Sequence, residues 1–414
     1  MIKKNRLRLF QGFGIELEYM IVDRDTLNVK PIADKLFKKK NGEVIGEKNN
    51  GIISWSNELV MHVVELKTTR PEDDLVEVRN EFLNNINEIN KRLEEYNAML
   101  MPTAAHPWMN PLSEKVLWPY DSGEIYKRYD QVFNCSGHGW TNLQSTHLNL
   151  PFYDDFEFAR LHAAIRVILP LLPALAASSP FIDKEFSGVL DKRLIYYMAN
   201  QKKIPAIAGK VIPERVYSEE SYNKKIFEKI KTKIAPYNED NLLDPVWVNS
   251  RGAIARFDRG SIEIRLIDIQ ECPAADLAIL AMIIGMVKMI AEERYTGLEK
   301  IQKKSTADLY RILKQTVSFG RAAVINDSDF LSFFGLRGVE DSTVGELLNH
   351  IYHDIKEDYS GLISPWIPYI DVLISKGSLS ERIVKKTGHY PTEEELKKVY
   401  TELAECLSKN KMFV

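Results

Sequence analysis

Apolar and polar residues alternate along Gly14-Ile-Glu-Leu-Glu-Tyr-Met-Ile-Val-Asp23, and this period of two predicts a β-strand. On such a strand Glu16 and Glu18 share one face, while Ile15, Leu17 and Tyr19 share the other. Two carboxylates held so close repel. A half-solvated strand tolerates this in water, and a hard divalent cation such as Mg2+ or Mn2+ would neutralise it.

The same alternation recurs downstream. Residues 58–67, β-branched at the centre, read as a second strand near the first, with Glu65 on the face of Met61 and Val63. Glu58, seven positions earlier, falls on the opposite face, so Glu58 and Glu65 meet in one site only across a bulge or a strand end. His62 points away from Glu65 and reads as a packed side chain. In the third run Ser145, His147 and Asn149 alternate with Thr146, Leu148 and Leu150, giving a polar face of histidine and amide behind a glycine-flanked turn; ligand binding and a structural role both stand open for it. In the fourth, Glu263 and Arg265 face away from Ile262, Ile264 and Leu266. An intrastrand salt bridge accounts for that pair, and so does a metal-binding carboxylate beside a guanidinium that forks onto phosphate or carboxylate.

Helical periodicity fills most of the remainder. Residues 71–98 predict a helix with Pro71 in its first turn, acids at its positive end and a solvated charged face, followed by a strand at 98–101. Residues 154–179 read as a long buried helix kinked at Pro170 and Pro173, and 277–289 as a second buried helix. Both are apolar enough to be confused with membrane spans, but Arg166 and the prolines in one, and Lys288 and short length in the other, assign them to the core. A further helix is expected at 219–233. Residues 299–414 are helical in pattern and carry no chemistry; Thr392 and Glu395 form a capping box, and the region is assigned to packing and to subunit contact in a homo-oligomer. Residues 26–51 read as a mobile polar loop, and the aromatic-rich segments 105–108 and 120–129 as loops suited to lining a small-molecule pocket. Arg193, just past a glycine turn, is a candidate anion contact.

Composition narrows the classes. A chain of 414 residues with globular apolar and charged fractions holds one large domain or two to three ordinary ones. Its net charge of −3 gives no bulk attraction to nucleic acid or anionic membrane. Three widely separated cysteines, Cys135, Cys272 and Cys406, exclude a disulfide framework and a C-x-x-C metal site and suit a reducing, cytoplasmic setting. The basic N-terminus lacks the apolar core of a signal peptide. Neither a P-loop nor a Rossmann glycine fingerprint is present, so any nucleotide must be held by metal and arginine contacts.

In order, Gly-x-Glu-x-Glu, a strand ending in Val-Glu-Leu, His-x-Asn, an Ala-Ser-Ser-Pro helix end, Ser-Ile-Glu-Ile-Arg and the tail segment at 374–382 resemble the glutamate-cysteine ligase type 2 family of carboxylate-amine ligases, over roughly the whole chain. The resemblance implies an α+β, glutamine-synthetase-like fold in which a curved, mainly antiparallel sheet forms a funnel with helices packed outside. It implies one catalytic domain over 1–414, with a sheet-containing core at 1–298 and a helical part at 299–414 packed on it. By the same resemblance Glu16, Glu18, Glu65 and Glu263 look like metal ligands and His147 like a ligand or phosphate contact. Arg265 looks like the residue facing the transferred phosphoryl group, and Arg256 like a holder of substrate carboxylate or phosphate. Asn149, Arg193 and Glu58 are left to substrate and nucleotide. Many members carry a second histidine where this chain has Asn149. The implied cofactors are ATP and Mg2+ (or Mn2+), and the implied partners are an amino-acid carboxylate and an amine. A metal-dependent amide hydrolase and a catalytically silent nucleotide or metal binder of the same fold are the alternatives.

Overall fold

The computed structural model describes residues 6–414. Its central feature is an eight-stranded sheet built from β1 (Gly14–Asp23), β2 (Glu47–Asn50), β3 (Ile53–Asn57), β4 (Val63–Thr68), β5 (Ala98–Met101), β6 (Ser145–Pro151), β7 (Ala253–Arg256) and β8 (Ser261–Asp268). The order is β2-β3-β4-β1-β6-β8-β7, with β5 paired to the second half of β1, and every pairing is antiparallel. This is the α+β funnel expected from the sequence. β1, the strand with the paired glutamates, lies in the middle, so residues from distant parts of the chain flank it on both sides.

The apolar face of the sheet is closed by helices. Ile15, Leu17 and Tyr19 of β1, Leu148 and Leu150 of β6, and Ile262 and Ile264 of β8 have no exposed surface and join one hydrophobic cluster with α1 (Leu75–Leu93), α2 (Gly123–Phe133), α3 (Asp155–Ile168) and later helices. At about 25 cal/mol per Å2 of apolar surface, burying each such Ile or Leu contributes roughly 1.5–3 kcal/mol, which holds the polar face in a single orientation. The segments Asp155–Ala176 and Pro273–Ala291 are long and apolar enough to cross a bilayer, yet 89% and 94% of their most apolar windows are buried inside the protein. The first is broken by a 3-10 turn at Leu169–Leu171, the kink that Pro170 and Pro173 predict.

The second half of β1 has a different neighbour. Met20 and Val22 lie on the same strand face as Glu16 and Glu18, and they are covered by Leu396, Val399, Tyr400 and Leu403 of the C-terminal helix Glu393–Lys409. One strand face is thus polar and open at one end and sealed by the tail at the other. Thr392 and Glu395 form the expected capping box of that helix.

Some expectations need correction. Residues 26–51 are not a featureless loop: they hold a short helix, Asp34–Phe37, and β2, an edge strand too short and polar to show a period. Strand β3 had no separate expectation. The run 58–67 is not one strand, because β4 begins only at Val63. The helix foreseen at 71–98 starts at Leu75, capped by the Asp74 carboxylate, which accepts hydrogen bonds from the Val76 and Glu77 amides; Pro71 lies outside it. Residues 123–133 are helix rather than loop.

Candidate active site

The polar face of the sheet lines a cavity of about 870 Å3. Strand register determines which side chains meet there. Glu18 stands directly across from Glu65, Glu16 across from His147 on one side and Lys67 on the other, and Glu263 across from Asn149. Like charges in direct cross-strand register destabilise a sheet. Glu18 and Glu65 have carboxylate oxygens within 4.8 Å of each other, and at that distance and an effective dielectric of about 20 two ionised carboxylates repel by roughly 3–4 kcal/mol, which a bound cation would offset.

Hydrogen bonds hold each group. Glu16 Oε2 lies 2.8 Å from His147 Nδ1, and its Oε1 accepts from Asn149 Nδ2 at 3.1 Å. Glu18 Oε2 accepts from the Ser145 amide at 2.6 Å and from Ser145 Oγ at 2.9 Å, and His147 Nε2 lies 2.9 Å from the same hydroxyl. Glu65 Oε1 accepts from Ser56 Oγ at 2.6 Å and pairs with Lys67 Nζ at 3.3 Å. Arg265 Nε lies 2.9 Å from Glu263 Oε1, off the line of a hydrogen bond.

Local charge separates the carboxyls. Burial pushes Glu16 up, but the hydrogen bond and charge of His147, then Arg265 and Lys67, hold it at about 2. Burial and the charge of Glu16 raise Glu65 to about 7 despite Lys67 and Ser56. Burial, then Glu18 and Glu65, push Glu58 well above the ordinary carboxylate range. Burial opposes the charged form of His147, and the bond to Glu16 with the charges of Glu18 and Glu16 raises it nonetheless, against Arg265. These are the signatures of carboxyls buried close enough together to perturb one another.

Two sets of ligand atoms lie within 4.8 Å of one another, Glu16 with His147 and Glu263, and Glu18 with Glu65 and His147. His147 belongs to both. Oxygen donors with one imidazole fit Mg2+ or Mn2+. Asn149 lines the cavity and leaves its carbonyl oxygen buried without a partner, a further ligand for a hard cation.

The structure brings Glu16, Glu18, Glu58, Glu65, His147, Asn149, Arg256, Glu263 and Arg265 to one cavity. Glu58 and Glu65 meet because a strand end intervenes: Glu58 sits in the connection between β3 and β4. Arg256 grips Asp258 through two bonds, of 3.1 and 2.9 Å, at the mouth. Arg193 lines the cavity as well. It opens the helix α4 (Lys192–Ala199), and its guanidinium is held by the chain itself, donating to Asp268 Oδ1 at 3.2 Å and to the Arg265 carbonyl at 2.9 Å, with Nε left unpartnered. Asp268 also accepts from the Ser178 amide and Ser179 Oγ, so the small-residue helix end serves as an anchor for this pair. His62 is buried with Nε2 at 2.8 Å from the Thr141 carbonyl, a packed histidine.

Sequence reasoning missed Lys67, which shares the row of Glu16. It also missed a register shift between β8 and β6: Ile264 opposes Leu148 and Ile267 opposes Thr146, so Arg265 and Leu266 together face His147. Such a bulge re-aims a side chain and leaves no local signal. Of the aromatic segments, Tyr126 and Tyr129 line the cavity with Trp140 and Trp247, whereas Trp108 packs on Tyr400. Gly14 permits close crossing of β1 and β6, since a Cβ there would lie 2.9 Å from Asn149 Cβ.

The sequence model of glutamate-cysteine ligase family 2 matches residues 12–332, the span that contains every one of these groups. The chain belongs to glutamate-cysteine ligase family 2. An uncharacterized protein of Archaeoglobus fulgidus is 31% identical over 404 residues, covering 97% of this chain and 100% of the relative. Among solved structures, the glutamate–cysteine ligase of Francisella tularensis in complex with AMP superposes with a TM-score of 0.67 at 13% identity, covering 98% of this chain and 90% of the other. A bifunctional glutathione synthetase from Pasteurella multocida gives 0.58 at 13% identity, over 97% of this chain and 52% of the other. At such identities these likenesses establish the fold.

Proposed function

We propose that the protein is an ATP- and Mg2+-dependent carboxylate-amine ligase that forms an amide, with the γ-carboxylate of glutamate as the acid, through an acyl phosphate. The observation that carries this reading is the meeting of Glu16, Glu18, Glu65, Glu263, His147 and Arg265 on one sheet face, with two ligand sets sharing His147. A carboxylate oxygen is a poor leaving group. Its attack on the terminal phosphorus of ATP forms an O–P bond and releases ADP; the amine nitrogen then forms the C–N bond, the C–O bond to phosphate breaks, and a proton leaves the nitrogen.

Glu16, Glu18, Glu65, Glu263 and His147 would hold the divalent cations, with Asn149 beside them. Bound there, Mg2+ or Mn2+ supplies charge neutralisation for phosphoryl transfer. Arg265 faces the phosphoryl group in transfer, and the bulge of β8 with the Arg193 bond to its carbonyl sets its direction. Arg256, at the mouth, takes a substrate carboxylate or phosphate, and Glu58 contributes to substrate binding. AMP in the Francisella protein agrees with a nucleotide in this cavity. Residues 1–414 act as one catalytic unit in this reading, since one hydrophobic cluster runs from Phe13 to Leu407. The buried free thiols of Cys135, Cys272 and Cys406 agree with work in a reducing cytoplasm.

The test is phosphate release from ATP with Mg2+ and glutamate, with and without a panel of amines, in the native protein and in Glu16→Gln and Arg265→Ala. Amine-stimulated release lost in both variants supports the ligase. Amide cleavage without ATP would replace it by a hydrolase, and ATP binding with no release under any combination by a silent binder.

A further inference from the structure

Among the described residues the lysines and arginines lining the cavity are Lys67, Arg70, Arg193, Arg256, Arg259 and Arg265. Four of them pair with acids outside the two ligand sets: Arg70 with Glu72, Arg193 with Asp268, and Arg256 and Arg259 with Asp258. The other two lean on ligand carboxylates. Arg265 Nε stands 2.9 Å from Glu263 Oε1, and the ligase reading gives it the phosphoryl-facing role. Lys67 Nζ stands 3.3 Å from Glu65 Oε1, and that reading gives it none.

Strand pairing limits what Lys67 can reach. It follows Glu65 by two residues on β4, so both side chains share the polar face, and it stands directly across from Glu16 of β1. Glu47 of the edge strand β2 lies on its other side, with Oε2 3.4 Å from Nζ. The two acids are unequal partners. The Glu47 side chain is 59% exposed, where water and salt screen the pair, whereas that of Glu65 is 10% exposed. The ammonium is therefore held chiefly by a member of a ligand set, on an oxygen that also accepts from Ser56 Oγ at 2.6 Å. A divalent ion at Glu65 would meet that ammonium at close range, and their repulsion opposes binding until the lysine moves away.

Resting on the metal site of the ligase reading, we propose that Lys67 is a built-in counter-ion of the empty site, which competes with the divalent cation for Glu65 and sets the free metal concentration at which the site fills. Without metal, its charge offsets the repulsion among Glu16, Glu18 and Glu65. With metal bound, it is released toward Glu47 and the open cavity.

The experiment is calorimetric titration of Mn2+ into the full chain without nucleotide, at fixed pH and ionic strength. Lys67→Met, which keeps an unbranched apolar stem, is expected to bind Mn2+ at least about fivefold more tightly than the native protein, and Lys67→Arg, which keeps the charge, no more tightly than native. Glu47→Gln leaves the ammonium to Glu65 and should weaken binding. Arg70→Met removes a cation of the same cavity that pairs with Glu72 instead, and its Mn2+ affinity should stay within about twofold of native. An affinity unchanged or weakened in Lys67→Met overturns the proposal and leaves Lys67 a structural tie to β2; an equal gain in Arg70→Met overturns it in favour of bulk charge. Glu16→Gln separates the counter-ion from the ligand assignment. Native binding that is lost in Glu16→Gln, with Lys67→Met no tighter, overturns the counter-ion alone. Native binding that survives Glu16→Gln, or no Mn2+ binding by either the native protein or Lys67→Met, overturns the metal site and the proposal with it.

Discussion

Replacing Arg193 by methionine tests whether the pair beneath the site positions Arg265. The Arg193 and Asp268 side chains are 2% and 0% exposed, and the guanidinium bridges Asp268 to the Arg265 carbonyl. Neighbouring Asp191 is pushed well up by burial and by the charge of Asp268, and burial raises Asp268 too, against the opposing charge of Arg193 and the hydrogen bonds from Ser178 and Ser179. Removing one partner of such a pair leaves a buried charge and costs about 3–5 kcal/mol. At about 2.1 cal/mol/K per residue of unfolding entropy, a chain of this length would lose about 3–6 °C in Tm. The freed Arg265 carbonyl should loosen the β8 bulge, and, with Arg265 in the phosphoryl-facing role proposed above, a misplacement of about 1 Å should lower kcat by roughly 10–100-fold. The KM for ATP should stay within about twofold. In Arg193→Met/Asp268→Leu only part of the stability should return, because the buried charge is gone while the Ser178 amide, the Ser179 hydroxyl and the Arg265 carbonyl are left unpaired, and kcat should stay low. Calorimetry with steady-state phosphate release on the native protein, both single variants and the double variant checks this. Recovery of kcat with stability in the double variant, or additive stability losses, would refute the positioning role.

Three further outcomes are expected. Mg2+ should raise the Tm of the native protein, and Glu16→Gln, Glu263→Gln and His147→Ala should each abolish most of that increase, read by thermal shift at fixed ionic strength; an unchanged increase would remove these residues from the ligand set. His106 accepts from the Trp108 amide at Nδ1 (3.2 Å), and its Nε2 lies 2.8 Å from the Leu27 carbonyl, so it is neutral, and burial lowers it to about 4. Its contribution is intact above the unfolded value near 6.5 and is lost as pH falls to about 4, worth about 3 kcal/mol; urea titrations across that window should show a shallower slope in His106→Gln. Gly14→Ala should cost about 1–3 kcal/mol and weaken activity, because its Cβ would lie 2.9 Å from Asn149 Cβ and press on the strand that carries His147; an unchanged denaturation midpoint would show that the two strands part freely.

Alternation along single strands was legible in the sequence because it is a local property of the pleated backbone: it placed Glu16 with Glu18, Ser145 with His147 and Asn149, and Glu263 with Arg265 before any partner was known. The kinked helix at Pro170 and the cap at Thr392 were legible for the same reason, since proline and capping side chains act on their own turn. Strand order, register and bulge belong to pairs of segments far apart in the chain, and only the tertiary structure decided them. That is why Lys67 beside Glu16, two residues opposite His147, and the burial of Arg193 on Asp268 could not be read in advance, and why the sequence could name a bulge or a strand end as the condition for Glu58 to meet Glu65 without deciding between them. The aromatic lining was legible in part: residues 120–129 read as a pocket-lining loop, and Tyr126 and Tyr129 do line the cavity, but only the tertiary structure showed that a helix carries them and that they meet Trp140 and Trp247 there.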